Sequence, residues 1–436
     1  MNFRLLRAWL FVKLLTTGVI SLTAGVCFGL ANPGVYFSTP YDNKVFASGI
    51  HTVMLRSSTW ELALPVIEKG SGQQLELRFD DLSGIPHNYG YTLVHCDVSW
   101  QPSPLSQQEY LEGFGQGTIR ESANSFNTTF DYMHYRLLFP EEDCVPVLSG
   151  NYALVVYESV DPEKIVLTRR FYVTEKTVQI EGSVKQPLPG EFRESGQQVD
   201  FTVNHPGMNI RDPFGEITAV IRQNGRDDNL IRSPKPTFIQ SGKIIYSDQD
   251  GIIFPGGNEF RNFDFKNLKY LTENMATIAF RNPYYHLFLK PDKIRSNKPH
   301  FSKPDLNGGF LVSLEKANDK HIEADYGYVH FTLEDPLVTT GGTIYVTGGF
   351  CDWSTGESNK MIYNSASGCY EVTLLLKQGF YDYCYALVET PGDSIDETAV
   401  EGSYYETAND YSVLIYYHDH LNRYDRLLGI LPLTKH

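Results

Sequence analysis

Ser149-Gly150-Asn151-Tyr152-Ala153-Leu154 places a tyrosine just after a glycine turn, at the head of an apolar stretch that continues as Val155-Val156-Tyr157. A tyrosine there can turn its phenol back onto backbone groups at the corner of a β-sandwich. The surrounding sequence agrees with that reading. Residues 74–79, 89–96, 132–139, 152–157 and 165–173 are short, β-branched or aromatic, and separated by Gly, Pro, Asn and Asp clusters, which is how successive strands are punctuated.

Two further groups of strand candidates follow. Residues 198–203, 216–222, 237–247 (broken at Ser241-Gly242) and 284–289 come after the segment Gln186-Pro187-Leu188-Pro189-Gly190. Residues 326–333, 343–350, 370–376, 380–388 and 411–417 come after the polar stretch 290–307. Residues 370–376 and 380–388, joined by Lys377-Gln378-Gly379, read as a hairpin with a short glycine-bearing loop. The chain is therefore expected to be all-β, with tandem immunoglobulin-like or early-set β-sandwich domains. The expected divisions are an N-terminal sandwich at 35–175, a central β domain at 176–305 and a C-terminal early-set-like sandwich at 306–436.

Length and composition are consistent with this. The 436 residues are enough for about three domains. With 28 Tyr and 26 Phe the chain is too aromatic to be disordered, and 36 Gly without a period exclude collagen. Arg4, Arg7 and Lys13 precede an uncharged run at 14–30 and the small residues Gly29 and Ala31, the pattern of a secretory leader at 1–31. The other reading of that run is a retained anchor, since about 17 residues reach the lower edge of a membrane span. Val26 before Cys27 argues against lipidation. Removal of 1–31 discards three cations and no acid, so the net charge goes from −15 to −18. A surplus of that sign disfavours nucleic acid and gives no charge-driven attraction to anionic lipid.

The search for chemistry returns little. No nucleophile elbow, zinc helix or phosphate loop is present. Gly113-Phe114-Gly115-Gln116-Gly117 lacks the spacing and the strand–helix frame of a phosphate cradle. Aligning Asp248-Gln249-Asp250-Gly251 as a calcium loop puts Tyr246 and Gly257 where oxygen ligands belong. Asp80-Asp81 reads as a turn cap ahead of Ser83-Gly84. His51, His87, His95 and His134 follow no pattern that ties them to a nucleophile. Of the five cysteines after the leader, Cys96 and Cys144 fall in one expected domain, each in or beside a strand, and are expected to form a disulfide. No two cysteines lie close enough for a zinc site. Trp353, following Gly348-Gly349-Phe350, sits as a tryptophan does in the early-set modules of glycogen- and starch-binding domains. It is a candidate either for stacking on sugar or for packing the sandwich edge. No metal, cofactor or catalytic residue is expected.

From Val35 to Gly429 the chain resembles the plug protein family of the Bacteroidetes type IX secretion system. The matching segments include His95-Cys96-Asp97-Val98-Ser99-Trp100, Tyr132-Met133-His134-Tyr135, Thr168-Arg169-Arg170-Phe171, Asn258-Glu259-Phe260-Arg261-Asn262-Phe263-Asp264, Leu306-Asn307-Gly308-Gly309, Lys377-Gln378-Gly379-Phe380-Tyr381-Asp382-Tyr383, Glu401-Gly402-Ser403-Tyr404-Tyr405-Glu406-Thr407 and Arg423-Tyr424-Asp425-Arg426. Two positions depart from the family: Asp97-Val98-Ser99 stands where Asn-Ala-Asp is usual, and Asp227 stands where a Trp often follows Asn-Gly-Arg. The resemblance implies a non-enzymatic periplasmic protein, monomeric within a complex. Such a protein docks on the system's outer-membrane translocon barrel, of the SprA/Sov type, and covers its periplasmic opening between cargoes. The alternative is an extracytoplasmic carbohydrate-binding protein acting through Trp353.

Overall fold

The computed structural model describes residues 41–58, 61–188, 190–248, 250–334, 341–389 and 395–436. The leader expected at 1–31 lies outside them.

Tyr152 is fully buried, and its hydroxyl donates to the carbonyls of Leu148 at 3.0 Å and Tyr110 at 3.3 Å. The corner read from the sequence is therefore formed, and the strand Gly150–Glu158 starts from it. That strand lies in the middle of an antiparallel sheet, between Asp161–Thr174 and Tyr89–Cys96. A second sheet faces it, made of Ile50–Ser57, Leu75–Asp81, Met133–Phe139 and Glu121–Asn124. Strand alternation puts Leu75, Leu77 and Phe79 inward against Tyr91, Leu93, Leu154 and Phe171.

The back of the Gly150–Glu158 sheet is covered as well. Cys96, Ala153, Val155 and Tyr172 on that face pack against Val220, Leu414, Tyr416 and Leu427. These come from a sheet in which Ile217–Gln223 pairs with Asn409–Asp419, which in turn pairs with Tyr424–Lys435. The last two strands of the stretch expected as a C-terminal sandwich thus complete a sheet begun some 190 residues earlier. The reason lies in their composition: Val413-Leu414-Ile415 is apolar on both faces, and a strand like that needs cover on both sides. The second face packs on Gly196–Asn204 and Lys243–Tyr246 through Val199, Phe201, Ile221, Ile244 and Val413.

The remaining sandwich pairs one sheet, ordered Met275–Arg281, Tyr284–Leu289, Tyr326–Glu334, Cys369–Lys377 and Ile362–Asn364, with another organised around Gly379–Val388. Leu287, Val329 and Phe331 meet Phe263, Val346, Tyr381 and Tyr385 between them. The hairpin expected at 370–388 is not formed. Cys369–Lys377 pairs with Tyr326–Glu334, whereas Gly379–Val388 pairs with Arg261–Asp264, Phe310–Val312 and Thr343–Thr347. Gln378 alone separates the two strands, fewer than the two residues a tight hairpin loop takes, so the chain steps from one sheet to the other instead. The protein is an all-β assembly of sandwiches.

Candidate functional site

The residues singled out for chemistry turn out to hold the sheets together. Asp81 caps its turn as read, accepting from the Ser83 amide at 2.8 Å, and also takes His87 Nδ1 at 2.7 Å and the Tyr89 hydroxyl at 2.8 Å. His95 is buried, with Nε2 3.1 Å from the Ser149 carbonyl, and burial brings its imidazole down to about 4. His51 is also shifted down by burial. Gly115, in the glycine-rich loop, donates its amide to Asp143 and gives its carbonyl to Thr92 and Gln107, so the loop is occupied by the protein itself. Asp248 pairs with Lys185 at 2.6 Å, and Gln249 lies outside the described residues. Among the described residues no group of three or more His, Cys, Asp or Glu side chains is placed to hold a metal ion.

Cys96 and Cys144 are both free and buried. Cys96 packs on the sheet face that carries Trp100 and Tyr172, while Cys144 packs with Tyr91 and Leu93 on the opposite face. Because the side-chain period of a strand is two, the expected disulfide is not made: Cys96 points away from the layer that holds Cys144.

Trp353 is 7% exposed and forms a small cluster with Phe260 and Cys384. The Arg226 guanidinium lies 4.2 Å over its ring. Gly308, at φ +81°, leaves room for the indole, since a Cβ there would come within 2.3 Å of it. Covered by Arg226 and Phe260, the ring has no face left to stack on a sugar.

Three buried ionic junctions join elements far apart in sequence. At the first, Lys377 Nζ lies 2.5 Å from Asp80 Oδ2 with both side chains 1% exposed. Asp80 also receives the Tyr326 hydroxyl at 2.7 Å and lies 2.7 Å from His134 Nδ1. Burial by itself would raise the Asp80 carboxyl, but the Lys377 ammonium and His134 bring it below the usual carboxylate range. Lys377 also lies 4.2 Å from the Tyr132 ring centroid, and Tyr132 donates to the Ala324 carbonyl at 2.7 Å. Nearby, Asp325 accepts the amides of Thr129 and Phe130. This junction ties the first sandwich to the third.

At the second, Asp227 takes Arg170 and Arg222, each at 2.9 Å, Arg169 pairs with Asp352 at 3.1 Å, and Arg226 pairs with Asp228 and Glu397. Arg56, Arg169, Arg170 and Arg222 line a cleft of about 160 Å³ between these elements. At the third, Glu401, 2% exposed, holds Arg261 at 2.9 Å and Arg295 at 2.8 Å, while Arg261 reaches Asp292 at 2.7 Å. The Tyr383 and Tyr385 hydroxyls donate to the same Asp292. A larger open cleft, about 430 Å³, is lined by Lys69, Glu175, Asp419, Tyr424 and Arg426, and its carboxylates are engaged by Arg426.

In all three junctions the charged groups pair with one another across elements distant in sequence. The family described as type 9 secretion system plug protein 1st domain matches residues 50–175. A crystal structure of a hypothetical protein from Parabacteroides merdae ATCC 43184 is 36% identical, with a TM-score of 0.87, over 91% of this chain and 100% of its own. This chain belongs to the type 9 secretion system plug protein family. Collagen adhesin from S. aureus spans 88% of this chain and 91% of its own at 9% identity, but a TM-score of 0.11 gives it no weight. No curated protein matches.

Plug family membership associates the chain with an envelope secretion apparatus. No helix among the described residues is long and apolar enough to cross a membrane. The two positions that depart from the plug family pattern are both engaged. Asp97 accepts the amides of Ser99 and Gln101, and Asp227 is the hub of the second junction. No sequence signal linked Asp80 to Lys377, which are 297 positions apart. The nearest available hint was that Lys377 falls in a segment shared with the plug family, whereas Asp80 was read only as part of a turn cap.

Proposed function

We propose that the mature chain is a non-enzymatic periplasmic plug that docks on the outer-membrane translocon barrel of the type IX system and covers its periplasmic opening while no cargo is in transit. The observation that carries this reading is the plug first-domain match over residues 50–175. The physics of the body supports it. A barrel wide enough for folded cargo leaves an aqueous lumen, and a cover for it must not deform or fray. Sheets stacked face to face and tied by buried ion pairs present a surface already shaped, so docking does not spend binding energy on ordering the chain. A net charge of −18, once the three cations of 1–31 are removed from the full sequence's −15, gives the mature chain no attraction to anionic lipid, so a specific protein face holds it at the membrane. The carbohydrate reading is disfavoured by the burial of Trp353.

The test is co-isolation and leak. Affinity-tagged mature chain, expressed in its own host, is expected to bring down the translocon barrel from solubilised outer membranes. Deleting its gene is expected to make the outer membrane permeable to bulky solutes that the parent strain excludes. A chain recovered without the barrel, together with unchanged permeability, refutes the proposal.

A further inference from the structure

The strand Met275–Arg281 is the edge of its sheet. It pairs with Tyr284–Leu289 on one side, and among the described residues no strand lies on the other. In an antiparallel pair alternate residues turn their N–H and C=O groups away from the partner, so this edge offers a row of backbone donors and acceptors to an added strand. Folded proteins usually blunt such edges with Lys, Pro, a bulge or brevity. Thr277-Ile278-Ala279-Phe280 carries no charge and no proline. The only irregularity in its pairing lies at the start of the strand, between Met275 and Thr277. By contrast the edge strand Gln179–Lys185 of another sheet carries Glu181, Gly182 and Lys185.

The side chains indicate what the edge would accept. Ile278 and Phe280 lie opposite Leu287 and Tyr285 on the core-facing side. Phe280 overhangs that core at 56% exposure, with its ring centroid 5.0 Å from that of Tyr285. An apolar side chain on an added strand would close this overhang. On the solvent side, Thr277 and Ala279 are small enough to let another backbone approach. Next to them is Arg281, its guanidinium 5.2 Å over the Phe288 ring and in no ion pair among the described residues. In a chain with 52 acidic residues, an exposed arginine without a carboxylate partner is a free site for one.

We propose that this edge takes up an extended segment of the translocon barrel, apolar at alternate positions and with a carboxylate beside Arg281, by adding it as a further strand. The identity of the partner rests on the plug reading, while the openness of the edge does not. Main-chain hydrogen bonds would supply the affinity, and the Phe280 overhang and Arg281 the register and specificity.

The experiment compares tagged mature chains carrying the native sequence, Phe280→Lys, Arg281→Glu or, as a control on a distant exposed turn, Leu421→Lys. Barrel recovery is quantified from solubilised outer membranes, and thermal melting of each purified variant is recorded. A second arm places the photo-cross-linker p-benzoylphenylalanine at position 280 or 421. Support is a drop in barrel recovery of at least about tenfold for Phe280→Lys and Arg281→Glu but not Leu421→Lys, at unchanged melting, with a barrel cross-link from position 280 alone. If all four chains recover barrel equally and no cross-link forms at 280, the edge proposal is wrong and the plug reading stands. If the native chain recovers no barrel, the plug reading fails and this inference with it. A cross-link between two copies of the chain at 280 also overturns the inference, because the edge would then pair with itself.

Discussion

Asp382 has 0% exposure and uses one carboxylate oxygen to accept the amides of Leu306 at 2.5 Å and Gly308 at 3.2 Å, while Oδ1 has no partner. Burial, reinforced by the nearby Asp305 carboxylate, pushes the group up to about 7. A carboxyl raised in the folded state binds its proton more tightly there than in the unfolded chain. Its contribution is therefore fully favourable below about 4, the unfolded value, and is lost as pH rises towards 7. Asp382→Asn keeps an oxygen for the two amides, adds a donor and removes the charge. The variant should melt higher than the parent at pH 8, and the gap should close by pH 4; an equal gap at both values would contradict this account. Side-chain chemistry of this sort was hardest to read from the chain. Asp382 lay in a segment recognised as shared with the plug family, but its charge cost depends on Asp305, placed beside it by tertiary folding. The same holds for Trp353, whose sequence surroundings allowed either sugar stacking or packing. The deciding neighbour, Arg226, arrives from 127 residues away.

At the scale of single elements the sequence was far more informative, because strand period and turn chemistry are local. Gly150 illustrates this. It takes φ +133°, and a Cβ there would lie 2.7 Å from His95 Nε2 and 2.9 Å from the Asp425 carbonyl. Gly150→Ala adds both backbone strain and a clash with the strand Tyr424–Lys435, for a loss of about 3 kcal/mol. Urea unfolding should show that loss, and a change under 1 kcal/mol would mean the corner relaxes freely. The strands at 89–96 and 284–289 were read with their observed bounds, and the other strands that were read fall within a few residues of theirs, since each is short, alternating and bracketed by turn formers, whereas Ile50–Ser57, Gln179–Lys185 and Met275–Arg281 were not read. The expected 370–388 hairpin failed for a reason local patterns do not carry. Which sheet a strand joins is set by the long-range core, and Lys377, needed at Asp80, cannot also sit in an exposed loop. The strand Tyr424–Lys435 escaped notice because Pro432 and the charged run Arg423-Tyr424-Asp425-Arg426 hide its period.

For the whole molecule, the decisive fact is that sheets are shared between distant parts of the chain. The described residues from 41 to 436 form one compact unit, and Ile217–Gln223 is paired chiefly by the strand Asn409–Asp419 from near the end of the chain. The first sandwich lies with its back against that same sheet, and the third is bound to the first through Asp80 and Lys377. No third of the protein can unfold without uncovering apolar surface on another, so calorimetry of the mature chain should show one cooperative transition rather than three. Lys377→Met sharpens the test. It leaves the Asp80 carboxylate buried without its cation, for a loss of about 3–5 kcal/mol. If the junctions couple the sandwiches as argued, the whole transition moves to lower temperature as one peak. A variant trace in which the third sandwich melts alone, with the rest unchanged, would show the body to be a string of independent modules and remove the mechanical basis for the cover proposed above.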